Sequence, residues 1–211
     1  MPGTAASALP ALAHCRHWVF DMDGTLTLPV HDFDLIRREL GIPADADILH
    51  HLAEIPAAEA RAKRAWLLRH ERALAEAAIA APGALELVRA LHAAGCRLGL
   101  LTRNARELAQ VTLAAIGLEG GFPEAEIVGR DDGLPKPHPA GLLGFAERWR
   151  VAPARMLMVG DHRYDLACGR AAGVATVLVN MPQNPWPGLA DWHLRDCGAL
   201  LARWREAAPV R

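Results

Sequence analysis

The sequence predicts an α/β protein: a three-layer sandwich with helices on both faces of a parallel sheet, plus a smaller helical segment inserted after the first strand. Three observations predict it. Short apolar runs (His17–Phe20, Arg97–Leu101, Met156–Val159) recur along the chain, and helix-length amphipathic stretches separate them after residue 83. Strands joined through helices pair in parallel and are covered on both sides, so they read as apolar runs rather than as alternating ones. Between residues 30 and 81 the pattern changes to Ala, Leu, Arg and Glu with few β-branched residues, a composition that favours helix.

The elements follow in order. Residues 1–15 are Ala/Pro-rich and are expected to be a loosely held leader. His17–Phe20 is the first strand, followed at once by DMDGT, as a buried strand ending in a loop would be. Helices are expected at Phe33–Leu40, Asp45–Ala53 and Ala57–Ala80, punctuated by Pro43 and Pro56 and closed by Pro82–Gly83. A helix over Ala84–Ala94 precedes a strand at Arg97–Leu101. A helix from Ala105 to Ile116 then ends at Gly117. Ile127–Val128 is a short strand, Pro139–Trp149 a helix, Met156–Val159 a strand, Tyr164–Ala172 a helix stopped by Gly173, and Val174–Val179 a strand. Pro182, Pro185 and Pro187 suggest a loop before a last helix near Cys197–Ala207. The expected division is a core of residues 16–29 and 82–211 with a helical cap over 30–81.

Composition narrows the function. The chain has 211 residues, 52% of them apolar, enough for a sizeable core. Lys+Arg 23 against Asp+Glu 24 leaves no basic excess, so no nucleic-acid partner is expected. No apolar run approaches the roughly 18–20 residues that span a bilayer, and no membrane partner is expected. The start of the chain lacks the basic and apolar regions of a signal peptide. Cys15, Cys96, Cys168 and Cys197 show no CxxC spacing, which points to reduced thiols and a cytoplasmic protein. Oligomeric state is not readable. The ten histidines include no zinc-ligand spacing, and the six tryptophans read as packing residues.

In a parallel α/β sheet ligands bind beyond the carboxyl ends of the strands. The residues there are Asp21 and Asp23, then Thr102, then Asp161 and Asp165, with Lys136 in a Gly/Pro-rich loop between strand and helix. Two carboxylates two residues apart share one side of an outgoing strand, and Gly24 lets the backbone turn sharply behind them. Like charges about 4 Å apart repel by roughly 4 kcal/mol at an effective dielectric near 20, so four acids could not share a cleft without cations. Lys136 is one of only two lysines in a chain that otherwise uses arginine. A compact ammonium suits such a position better than a planar guanidinium.

VFDMDGTLT resembles the first motif of the haloacid dehalogenase (HAD) superfamily, LGLLTRN its second, GLPKPHP its third and VGDHRYDL its fourth, in the same order and all at strand ends. The resemblance covers roughly residues 17–180 and is similar to the phosphoglycolate phosphatase-like group with a small helical cap. It implies a Rossmann-like core and a Mg²⁺-dependent phosphatase acting on a small phosphorylated metabolite through an aspartyl-phosphate. Asp21 would be the nucleophile, and Asp23 the acid and then the base, with its backbone carbonyl also on the metal. Asp21, Asp161 and Asp165 would hold Mg²⁺, a hard cation satisfied by oxygens. Thr102, Arg103, Asn104 and Lys136, with Met22 and Gly24, would contact the phosphoryl group. His162 would lie beside the metal or on the surface. His31, Asp32 and Arg38 stand near the hinge or first helix of the expected cap. A phosphotransferase such as a sugar-phosphate mutase shares these residues, and a silent binding protein of the same fold is the third reading. Dehalogenase and phosphonate-cleaving relatives are disfavoured because they lack an acid at the position of Asp23.

Overall fold

The computed structural model describes residues 12–29, 33–46 and 48–207. Most of the expected leader, with His31 and Asp32, lies outside the described residues. The packed chain starts earlier than residue 16, because Leu12 and Cys15 are both buried in the core.

Among the described residues, six strands form one sheet in the order β3-β2-β1-β4-β5-β6, all neighbours parallel. They are β1 (His17–Phe20), β2 (Arg97–Leu101), β3 (Ile127–Val128), β4 (Met156–Gly160), β5 (Ala175–Leu178) and β6 (Trp192–His193). The central strand β1 sets Phe20 opposite Leu100 of β2 and Val159 of β4. Successive side chains on β1 point to opposite faces. Trp18 and Phe20 therefore enter one core with α4 (Ala84–Ala93), α5 (Arg106–Ala115) and α8 (Cys197–Ala207). Val19 enters the other, with α6 (Ala140–Trp149) and α7 (Arg163–Ala172). Each fully buried side chain of this size stabilises by about 1.5–3 kcal/mol, which is why the sheet centre is fixed so firmly.

Between β1 and α4 lie α1 (Phe33–Leu40), α2 (Ile48–Glu54) and α3 (Ala57–Glu76). They bury a small apolar cluster of their own, with Ile36, Leu40, Ile42, Leu52 and Leu67. The second helix starts at Ile48 rather than Asp45, because Ala46 closes a turn by donating its N–H to Pro43 O. The third stops at Glu76 rather than Ala80, because the chain there pairs with the outgoing strand. Thr27 and Ala80 form an antiparallel bridge, Leu28 donates to Ile79 O at 2.9 Å, and Ala81 donates to Leu26 O at 2.9 Å. The insert thus leaves and re-enters the sheet through one paired stem. It also leans on the core through α3 and α5, where Arg72 pairs with Glu107.

The tail differs from expectation. A sixth strand, Trp192–His193, adds to β5 with Trp192 opposite Val177. Asp191 fastens it by accepting the Thr176 N–H at 2.8 Å and an Arg170 guanidinium at 2.7 Å. Among the tryptophans, Trp18, Trp149 and Trp204 are buried, and Trp66, Trp186 and Trp192 are half-buried. No helix among the described residues is long and apolar enough to cross a membrane.

Candidate active site

All strands of a parallel sheet end on one edge, and the sheet ladder carries the site residues to it. Asp21 donates its N–H to Val159 O at 2.9 Å, and Thr102 to Val128 O at 3.0 Å, so each stands one residue beyond its strand and is still tied to a neighbour. After Asp21 the chain doubles back on the Met22 carbonyl, which accepts from the N–H groups of Thr25, Leu26 and Thr27. Gly24 completes the turn at φ +81°. Asn180, just past β5 and itself at φ +59°, donates to Gly24 O at 2.7 Å and Thr25 O at 2.9 Å. The Thr25 hydroxyl reaches Asp21 Oδ2 at 3.3 Å and Asp161 Oδ1 at 3.1 Å, donating to one at a time.

Lys136 lies between two of the acids. Its Nζ donates to Asp21 Oδ1 at 2.5 Å and to Asp165 Oδ1 at 2.6 Å, and the residue is only 4% exposed. Burial works against its charge, but Asp165 and Asp21 more than offset it and hold the ammonium above the usual lysine range. Asp165 is oriented by the start of α7, where its Oδ2 accepts the His162 N–H at 3.0 Å and His162 Nδ1 accepts the Tyr164 N–H. His162 is exposed and lines the cleft.

Asp21, Asp161 and Asp165 each bring a carboxylate oxygen within 4.8 Å of the other two. Burial and the neighbouring acids raise Asp21 above the ordinary carboxylate range against the pull of Lys136. Burial and the charge of Asp165 push Asp161 up to about 6. This is the signature of an anionic cluster short of positive charge. Three hard oxygen donors, with no nitrogen or sulfur among them, fit a hard divalent cation such as Mg²⁺.

Asp23 stands apart from that cluster. Its Oδ2 accepts from Asn104 Nδ2 at 2.9 Å. Asn104 is held in turn, donating its N–H to Thr102 Oγ1 at 3.1 Å and accepting the Arg130 N–H on its carbonyl at 2.9 Å. The Arg103 guanidinium lies over the Tyr164 ring, 5.0 Å from its centre.

These groups open into one cleft of about 450 Å³ between the sheet edge and the inserted helices. Its described lining includes five acids (Asp21, Asp23, Glu71, Asp161, Asp165) and four cations (Arg37, Arg103, Arg130, Lys136). Seven of the expected site residues line it; Met22, Gly24 and Thr102 stand in the layer that supports them. Met22 turns its side chain fully into the core. Arg38 is exposed on α1.

Sequence reasoning missed Thr25, Asn180, Glu71 and Arg130. Asn180 carried a usable signal, since it follows the apolar run of β5 at a strand end like the others. Glu71 carried one too, because it sits at four-residue spacing between Leu67 and Ala75 on the buried stripe of α3. Arg130, in a loop, carried none.

Comparison with known proteins agrees with this geometry. A family model described as haloacid dehalogenase-like hydrolase matches residues 36–173. A haloacid dehalogenase-like hydrolase domain-containing protein of Arabidopsis thaliana is 32% identical over 182 residues, covering 81% of this chain and 73% of the relative. A phosphoglycolate phosphatase of Nitrosospira multiformis is 30% identical over 226 positions, covering 100% of this chain and 92% of its own. The crystal structure of a hydrolase from Pseudomonas syringae superposes with a TM-score of 0.73 at 24% identity, over 92% of this chain and 99% of that one, a likeness of fold. A family match that takes in Thr102, Lys136, Asp161 and Asp165, with relatives aligned over most of their length, establishes that the chain belongs to the haloacid dehalogenase-like hydrolases, in their phosphoglycolate phosphatase-like group.

Proposed function

We propose that this phosphatase hydrolyses a small phosphomonoester through an aspartyl-phosphate on Asp21. The observation that carries the reading is the convergence of Asp21, Asp161 and Asp165, with Lys136 bonded to two of the three. A carboxylate oxygen of Asp21 attacks phosphorus, and the bond to the leaving oxygen breaks as Asp23 gives that oxygen a proton. Asp23 then takes a proton from water as the water attacks phosphorus, which frees phosphate and restores Asp21. The 2.9 Å hydrogen bond from Asn104 that fixes the Asp23 carboxyl supports this acid role. Lys136 balances charge on Asp21 during transfer, and Thr102, Arg103 and Asn104 supply donors to the phosphoryl oxygens. From the first loop only backbone N–H groups contribute, since Met22 buries its side chain and Gly24 has none.

Asp21, Asp161 and Asp165, with the Asp23 carbonyl, would hold Mg²⁺. When bound, the ion supplies Lewis-acid neutralisation of charge on the phosphoryl oxygens. Residues 30–81 act as a cap over a core of 12–29 and 82–207, a division supported by the separate apolar cluster of the insert and its paired stem. Burial raises the Cys15, Cys168 and Cys197 thiols to about 12, which suits unreactive, reduced cysteines.

Phosphate release from a panel of phosphoglycolate, sugar phosphates and nucleotides, with Mg²⁺ and with EDTA, tests the reading alongside Asp21→Asn. Release that needs both Mg²⁺ and Asp21 is expected. Metal-independent release by Asp21→Asn overturns it, as does an isomerised sugar phosphate formed without free phosphate.

A further inference from the structure

Glu71 of α3 and Arg130 beyond β3 meet across the cleft. Arg130 Nη1 donates to Glu71 Oε1 at 2.8 Å and Nη2 to Oε2 at 3.1 Å, a two-point match of guanidinium and carboxylate. Glu71 is 8% exposed, although both residues line the cleft. The pair is also close to the chemistry, because the Arg130 N–H bonds the carbonyl of Asn104, whose side chain holds Asp23. With Asp23 as the acid that protonates the leaving oxygen, the pair borders the side from which the alcohol departs.

We propose that Glu71 and Arg130 select phosphomonoesters whose leaving alcohol carries hydroxyl groups and reject those carrying a second anion. This rests on the phosphatase reading and names its substrate class. Arg130 is the cation paired with Glu71 on this wall, and Glu71 takes one N–H from each of its terminal nitrogens and balances its charge. A substrate carboxylate would either face the buried Glu71 carboxylate or displace it, leaving one buried anion without a partner. The other three cations of the lining have partners as well. Lys136 answers Asp21 and Asp165, Arg37 answers Asp34 and the Ala46 carbonyl, and Arg103 lies over the Tyr164 ring beside the phosphoryl site. A hydroxyl meets no such conflict. It can donate to the remaining lone pairs of Glu71 and accept from the remaining N–H groups of Arg130 while the pair stays intact. Ile36 and Leu67 give the carbon skeleton an apolar surface on the same side.

The test compares two esters of one skeleton, phosphoglycolate and 2-hydroxyethyl phosphate, with p-nitrophenyl phosphate as a generic ester. Wild-type kcat/KM is expected to favour 2-hydroxyethyl phosphate by on the order of tenfold or more. Glu71→Gln keeps the shape and removes the charge, and should move the ratio toward phosphoglycolate by a similar factor, chiefly through its KM. A wild type that turns over p-nitrophenyl phosphate but favours phosphoglycolate overturns the selectivity alone, as does an unchanged ratio in Glu71→Gln. Inertness toward all three esters overturns the phosphatase reading and this proposal with it. The wild-type ratio needs no variant, so the proposal remains falsifiable if the exchange prevents folding.

Discussion

A β-carbon on Gly24 would stand 2.2 Å from Asp161 Oδ2, closer than any non-bonded contact allows. The first loop and the fourth strand end are therefore packed backbone against carboxylate, and the glycine also holds φ +81°. Gly24→Ala should displace Asp161 by a large fraction of an ångström and strain the loop by about 1 kcal/mol. Misplacement on that scale lowers kcat/KM by about 100-fold. Steady-state kinetics on p-nitrophenyl phosphate with a melting curve checks this, and near-normal turnover would refute the packing argument.

Lys136 provides the second prediction. Lys136→Met leaves Asp21 and Asp165 without their shared cation, and kcat should fall by about 10²–10³-fold or more. Lys136→Arg should fail to restore it, because a planar fork cannot take the place of one buried nitrogen bonded to two carboxylates. Recovery of most of the turnover by arginine would show that charge alone suffices.

Asp161 links the site to stability. Its folded value of about 6 lies above the ordinary 3.8, so the folded chain binds this proton more tightly than the unfolded chain. Stability from this group is present below about pH 4 and is lost as pH rises through 6. In EDTA, Asp161→Asn should match wild type near pH 4 and exceed it by on the order of 1–2 kcal/mol at pH 7. Adding Mg²⁺ should raise the melting temperature of wild type but not of the variant. Denaturant titrations across pH decide it, and a variant less stable than wild type at pH 7 in EDTA contradicts the charge argument.

Asp196 has the opposite sign. It precedes α8 and accepts the Ala199 N–H on Oδ1 at 2.7 Å, as a helix cap does. Burial alone would raise its carboxyl, but the Ala199 and Gly198 N–H groups and Arg195 together outweigh that and hold it below the usual range. Its contribution is complete above the unfolded value and disappears as pH falls through the folded one. Asp196→Ala should cost about 1 kcal/mol at pH 7 and progressively less in acid, measured by chemical denaturation. An equal cost at both extremes would remove the charge from the explanation.

Much of this site was legible in the sequence because parallel strands deliver their following residues to one edge. Asp21, Asp23, Thr102, Asp161 and Asp165 could be placed there from the ends of the apolar runs, with Lys136 in the loop between strand and helix, and the motif resemblance gave them roles. The less legible parts depend on long-range packing. Nothing local shows that Arg130, in a loop, meets Glu71 on a helix of the insert. Trp192–His193 is too short to show a strand period and becomes a strand only because β5 offers an edge. The end of α3 was overestimated because Ala77–Ala80 suits a helix, but backbone pairing with Thr27 and Leu28 takes precedence.

The bridge between Thr27 and Ala80 has a consequence for how such an enzyme can change. Hydrogen bonds at 26–28 and 79–81 close the junction before the intervening chain begins. The carboxylate edge experiences the same closed doorway whatever lies beyond it. Away from the contacts of α3 with α5 and Arg130, length and sequence between those points can change, so new selectivity can be acquired in that stretch without rebuilding the chemistry below.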